Sequence, residues 1–220
     1  MTNMKNHLSL DRPEIQYICK KDRRFEKLVR LVGPISYSLH DGEPYEFVTH
    51  EIVEQMLSVK AGQRIFDRFK GLCPGGLTPL NVSQLTIDQI KATGMSNSKA
   101  RSILCFTEAV IDGSLKFDEL VGCTDEEVIK RLTNIHGIGP WTAKMYLLFV
   151  LGREDVLPVE DGAFLQTYRW LYKTNNCSKA AVIAKCKKWK PYSSFAARYF
   201  YRALDMGLTK NEFHLFKEED

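Results

Sequence analysis

The chain lacks several features that would each have named a function class. It has six cysteines but no C-x-x-C pair, no hydrophobic run long enough to span a membrane, and no repeat or low-complexity stretch. Scattered Cys19, Cys73, Cys105, Cys123, Cys177 and Cys186 give no support for a zinc ribbon or a tightly spaced iron–sulfur loop. They fit reduced thiols in a cytoplasmic protein. The opening MTNMKNHLSLDRPE has no apolar signal core, so no secretory leader and no membrane partner are expected. Strong charge is missing too: 31 basic against 27 acidic residues leave +4. That balance argues only weakly for nucleic acid.

What is present is a core-forming composition and helical periodicity. With 220 residues and 44% apolar content, the chain can build one large domain or two small ones. Thr49 is expected to cap a helix burying Ile52, Val53, Met56 and Leu57, and the stripe continues through Ile65, Phe66 and Phe69 to Gly71. The Pro- and Gly-rich LCPGGLTPLN reads as a loop. Thr86 with Gln89, and Thr124 with Glu127, form two capping boxes, each opening a helix. A longer helix is predicted over 98–112, stopped by Gly113. Segments of β type are scarce: KFDEL and VGPISYSL are the two tempting ones. The expected class is all-α, and Lys217 to Asp220 are expected to fray.

The most specific local signal is LTNIHGIGPWTAK, residues 132–144. One amphipathic helix ends at about Ile135, Gly137-Ile138-Gly139 makes a tight turn, and a second helix starts near Thr142. Glycines permit unusual torsions and let another molecule approach the main chain. The N-terminus of the second helix offers N–H groups that suit a phosphate oxygen. Such a turn clamps a nucleic-acid backbone without reading bases. The next helix, AKMYLLFVL, is apolar almost all round and should be buried up to Gly152. Downstream, Pro158 and Gly162 bracket a turn, and Asp161 stands where a further helix begins. Taken alone, Asp161 reads as an N-cap.

The order of hairpin, Gly/Pro loop and Asp161 resembles that of the helix-hairpin-helix DNA glycosylases, the short DNA-3-methyladenine glycosylase II type without an N-terminal β-domain. EIVEQMLSVKAGQRIFDRF is similar to the family's I-x-x-Q-Q-x-S-x-K-A-A segment, with Met56 in place of the second Gln. TGMSNSKARSIL is similar to its G-[ML]-x-x-x-K-A segment. WKPYSSFAARYFYRAL is similar to W-x-P-[YW]-R-S-x-A, with Ser193 for the Arg. Roughly the first forty residues carry no part of the likeness.

The resemblance implies two helical subdomains, 36–153 and 1–35 with 154–220, with an active-site cleft between them. It implies that Asp161 is the catalytic carboxylate, stabilising positive charge on the sugar of a flipped nucleotide and activating water. A negative charge at a helix N-terminus is also favoured by the helix dipole. Glu160 is expected to be a solvated neighbour. Trp141 stands where glycosylase/lyases carry the Schiff-base Lys, which implies hydrolysis without strand cleavage. Trp141, Tyr201, Met145 and Phe47 fall on or near the pocket for a cationic alkylated purine such as 3-methyladenine or 7-methylguanine. Tyr199 and Tyr45 are weaker candidates. DNA contacts are implied for Gly137, Gly139, Thr142, Lys144, Lys99 and Asn97, the last as the side chain filling the gap of the flipped base. Arg101 is a further basic residue nearby. Backbone carbonyls of Thr133, Ile135 and Ile138 are implied to hold a structural monovalent cation; no other cofactor and no iron–sulfur cluster is expected. The implied partner is damaged double-stranded DNA, met by a monomer. Two alternatives stand beside this reading: excision of oxidised or deaminated purines, and an inactive hairpin scaffold that only binds DNA.

Overall fold

The computed structural model describes residues 5–215; the expected C-terminal fraying from Lys217 onward lies outside them. The chain opens with β1 (Asn6–Leu8), α1 (Pro13–Lys21), α2 (Arg23–Val32) and β2 (Ile35–Tyr37). There follow α3 (Pro44–Glu54), α4 (Val59–Lys70), α5 (Pro79–Ser83), α6 (Ile87–Ala92), α7 (Asn97–Ile111), α8 (Phe117–Val121), α9 (Asp125–Thr133) and α10 (Pro140–Phe149). The described chain ends with α11 (Gly162–Tyr172), α12 (Lys179–Cys186) and α13 (Ser193–Asp205), plus short 3-10 turns at Lys187–Trp189 and Leu208–Lys210. None of these helices is long and apolar enough to cross a membrane. Among the described residues the fold is helical apart from one antiparallel strand pair, Asn6 opposite Tyr37 and Leu8 opposite Ile35.

Two compact units divide the chain: residues 1–39 with 152–220, and residues 40–151. The dividing points lie two to four residues inside the expected 36–153, because β2 pairs with β1 and carries the chain through Tyr37 into the terminal unit.

In the terminal unit, α2 places Phe25, Leu28, Val29 and Val32 at helical spacing, and all four are buried. Each removes about 1.5–3 kcal/mol worth of apolar surface from water. Phe164 of α11 stacks on Phe200 of α13 at 5.0 Å, and the Trp189 ring meets Phe200 edge-on at 5.3 Å. A buried carboxylate organises this core. Asp22 caps α2 by accepting from Arg24 N and Phe25 N. Its other oxygen accepts from the Tyr172 hydroxyl, from Trp189 Nε1 at 3.0 Å and from Lys188 Nζ at 2.9 Å. Burial alone would raise the Asp22 pKa; the bonds from Tyr172, Lys188 and Trp189 outweigh it and hold the group below its ordinary value.

In the 40–151 unit, Tyr45 of α3 stacks on Phe106 of α7 at 5.1 Å, and its hydroxyl pairs with Thr107 Oγ1 at 2.7 Å. Both expected capping boxes are present, Thr86 with Gln89 and Thr124 with Glu127. Two expectations need correction, at Thr49 and at the LCPGGLTPLN loop. Thr49 caps nothing: α3 already begins at Pro44, whose fixed φ suits a first helical position, and Thr49 is buried inside the helix. The loop LCPGGLTPLN ends in a helix start, because Thr78 caps α5 and Pro79 leads it. Of the two tempting β-type segments, KFDEL is helical over Phe117–Val121 with Leu120 buried, in line with the all-α expectation, and VGPISYSL holds the short strand β2.

Candidate functional site

The turn after α9 is held from two sides. Ile138 N donates to Ile135 O at 3.1 Å, and the Ile138 side chain is buried. Gly137 adopts φ +86°, and a Cβ there would overlap the Ser102 side chain of α7. Its glycine is therefore required by the protein's own packing. Gly139 differs: it caps α10 at φ −95°, and a Cβ there would meet nothing within 4 Å. That face is open to an approaching molecule. Helix α10 begins at Pro140, two residues before the expected start, so the first-turn N–H groups belong to Trp141 and Thr142.

Thr142 is fully buried, and its hydroxyl accepts from Gln55 Nε2 at 3.1 Å. Its side chain is internal, leaving only its main chain for a phosphate. The same Gln55 amide donates to Gly137 O at 3.1 Å. Gln55 thereby ties the α3–α4 turn to the hairpin. On that turn Met56 is fully exposed at φ +59°, a strained torsion for a residue with a Cβ. Sequence periodicity had placed Met56 and Leu57 on a buried face. Helix α3 in fact stops at Glu54, and both residues lie beyond it.

Asn97 is exposed at the first residue of α7. Lys99, expected at a phosphate, is turned inward: its Nζ donates to Val53 O and Gln55 O, each at 2.6 Å. Desolvation lowers its pKa. Arg101 is exposed and Lys144 half-buried on α10.

In the terminal unit, Asp161 does cap a helix. It has extended torsions, Oδ1 accepts from Phe164 N at 2.6 Å, and its own N–H donates to Pro158 O at 3.0 Å. The residue is only 8% exposed, so the first turn of α11 fixes a buried carboxylate. Glu160 is not simply solvated: it is ion-paired with Lys179 at 3.1 Å.

The aromatic candidates separate by burial. Trp141, Phe47 and Tyr201 are half-buried, while Met145 lies within the buried face of α10. Phe47 packs against His40 at 5.2 Å. Tyr199 is core, its hydroxyl donating to Leu8 O at 3.2 Å, and Tyr45 is core through Phe106 and Thr107. Sequence reading missed Arg198, buried on α13 with its guanidinium 3.7 Å from the Tyr37 ring centre.

A hairpin clamp and a buried, helix-capping aspartate in this chain order define a base-excision repair protein. Residues 49–191 match the HhH-GPD superfamily of base excision DNA repair proteins, and the chain belongs to it. It is 34% identical over 200 residues to DNA-3-methyladenine glycosylase 1 of Schizosaccharomyces pombe, covering 88% of this chain and 87% of that one. Among solved structures, a DNA-3-methyladenine glycosidase from Bacillus halodurans superposes with a TM-score of 0.79 at 32% identity, over 92% of this chain and 94% of that one. The S. pombe 3-methyladenine DNA glycosylase in complex with abasic DNA gives a TM-score of 0.80 at 31% identity, over 88% and 97%.

Proposed function

We propose that this protein is a monofunctional DNA glycosylase that releases alkylated purines of the 3-methyladenine and 7-methylguanine type, leaving an abasic site. The observation that carries the reading is Asp161, a buried carboxylate pinned by Phe164 N at 2.6 Å in a chain of the HhH-GPD superfamily. The bond between the sugar C1′ and the purine nitrogen breaks, and the cationic base keeps the electron pair and departs neutral. Asp161 offsets the positive charge left on the sugar. Water then bonds to C1′, and its proton passes to the Asp161 carboxylate.

Duplex DNA is the partner in this scheme, engaged by a monomer. The open face of Gly139 and the first-turn N–H groups of α10 receive a phosphate, with Gly137 shaping the turn and Lys144 adding charge. Two exposed side chains flank this clamp: Asn97, and Met56, whose apolar, fully exposed side chain suits the space vacated by a flipped base. Trp141, Met145 and Tyr201 are assigned to the base, with Phe47 an outer contributor. Trp141, in the place of a lyase lysine, leaves no amine there for a Schiff base.

The scheme needs no cofactor. Carbonyl oxygens of Thr133, Ile135 and Ile138 would hold a monovalent cation; three neutral oxygens suit a single positive charge, and Ile135 O shares itself with Ile138 N. Its contribution would be electrostatic support of the bound phosphate. This substrate requires a location with the DNA, which is cytoplasmic where the DNA is a bacterial nucleoid.

The test is a panel of duplexes carrying single defined lesions, scored for breaks with and without alkali. Alkali-dependent breaks at alkylated purines are expected, and Asp161→Asn should cut them by roughly 10²–10³-fold while duplex binding survives. Release confined to oxidised or deaminated purines would replace the substrate assignment. Breaks without alkali, or a borohydride-trapped complex, would overturn the monofunctional reading.

A further inference from the structure

Two polar side chains near the hairpin do more than the packing of their own helices requires. Helix α3 ends at Glu54, and its last carbonyls need donors from outside the helix ladder. Gln55 N donates to Glu51 O at 3.2 Å, and Leu57 N to Glu54 O at 3.0 Å. Val53 O and Gln55 O are closed from another helix: Lys99 Nζ, from the first turn of α7, donates to each at 2.6 Å. Gln55 then reaches onward. Its Nε2 carries two N–H groups and donates to Gly137 O and to Thr142 Oγ1, each at 3.1 Å. We propose that Lys99 and Gln55 are positioning residues for duplex binding, a relay that sets the geometry of the hairpin without touching DNA. Their role rests on the reading of this chain as a glycosylase acting on duplex DNA.

The two acceptors bracket the clamp. Gly137 and Thr142 stand on either side of Gly139, whose face is open. The Gly137–Ile138 peptide is fastened at both ends: its oxygen takes the Gln55 amide, and its N–H goes to Ile135 O. One amide group thus spans the tight turn and the first turn of α10, where a phosphate is to be received. Lys99 enters because the Gln55 carbonyl it holds belongs to the peptide leading into Met56, at φ +59°. A residue with a Cβ keeps such a torsion only where its surroundings demand it. Two side chains so join three segments of the 40–151 unit: the start of α7 with Asn97, the α3–α4 turn with Met56, and the hairpin.

The surroundings favour an inward Lys99. A positive charge at a helix C-terminus is stabilised by the helix dipole. Desolvation lowers the Lys99 pKa, against the attraction of Glu54. The α3 end is also closely packed from the α4 side. Gly62 lies in the first turn of α4, and a Cβ there would come within 2.9 Å of Glu54 Cγ and 3.0 Å of its Oε1.

The test uses the full chain with Lys99→Met and Gln55→Met, which keep much of each side chain and remove its donors. In the protein without DNA, hydrogen exchange of the Ile138 amide should speed up about fivefold or more in both variants. Each should bind an undamaged duplex about five- to tenfold more weakly, with the salt dependence of the wild type. The double variant should bind no more weakly than the weaker single one, because both residues act along one route. Thermal melting confirms that the molecules compared are folded; should Lys99→Met not fold, Gln55→Met carries the test on exchange and affinity. Unchanged Ile138 exchange or unchanged affinity in the folded variants would overturn the relay, as would losses that multiply in the double variant. A salt slope reduced by about 0.9 in Lys99→Met would make that residue a phosphate contact and overturn its assignment. A wild type that neither binds duplex nor releases alkylated bases would remove the glycosylase reading and the relay's purpose together. Normal wild-type behaviour with unchanged variants would remove the relay alone.

Discussion

Asp22 and Asp161 hold the same local post in the same unit: each is a buried N-cap, 3% and 8% exposed, and each accepts a helix N–H. Their surroundings set them apart. Asp22 gives one oxygen to two amides of α2 and the other to Tyr172, Trp189 and Lys188, so side chains from α11 and from the Lys187–Trp189 turn converge on it. The cap bond of Asp161 engages Oδ1, in a segment bracketed by Pro158 and Gly162 and followed directly by α11. A capping aspartate is thus not classified by its cap. Asp22 is held by the side chains that converge on it, whereas Asp161 is singled out by following the hairpin in chain order.

That contrast can be broken in order of expected effect. Asp22→Ala should cost about 3–5 kcal/mol in urea denaturation, because it strips the partner from Lys188 and orphans two buried donors. Base release per folded molecule should not change. Because the folded pKa of Asp22 is depressed, its stabilisation is complete above the ordinary carboxylate value and fades as pH falls through the folded one. The variant's deficit should therefore shrink in acid. Asp161→Asn should lower base release by roughly 10²–10³-fold. Its denaturation midpoint should barely move, as Asn caps about as well as Asp. Full activity in that variant would erase the distinction between the two caps.

The hairpin glycines sharpen the same point at smaller cost. Gly137→Ala should destabilise by about 1–3 kcal/mol through the overlap with Ser102. Gly139→Ala should cost under about 1 kcal/mol and weaken duplex affinity instead. Equal losses of stability would remove the assignment of one glycine to packing and the other to approach. Smallest of all, Lys99→Met should leave the salt dependence of binding unchanged. A phosphate contact would shift the log–log slope by about 0.9.

Much of this was legible in the sequence because it is local. Both capping boxes and the hairpin are written in neighbouring residues. Asp161 could be read as a cap from its neighbours, though its further role needed the order of the motifs. Where the reading failed, distant partners decided. Lys99 looks like a surface charge until α3 ends beside it with two carbonyls to cap. Tyr199 looks like a pocket residue until β1 offers Leu8 O. KFDEL has strand-like residues, yet Leu120 finds its burial as part of a helix, in line with the all-α expectation. The room left for the Glu54 side chain was invisible because it is made by Gly62, eight residues further on.

The fit between Gly62 and Glu54 also orders the history by which such a pair arises. Glycine at 62 tolerates either a short side chain or a carboxylate opposite, at the modest price of a weaker helix turn. A chain with alanine at 62 would bring its Cβ to 2.9 Å from Glu54 Cγ and 3.0 Å from Oε1, so the glutamate side chain would have to shift. The route with the least rearrangement takes glycine first and the acid second. Once both are in place, returning to alanine is coupled to the rotamer of the acid, and the two positions no longer vary independently.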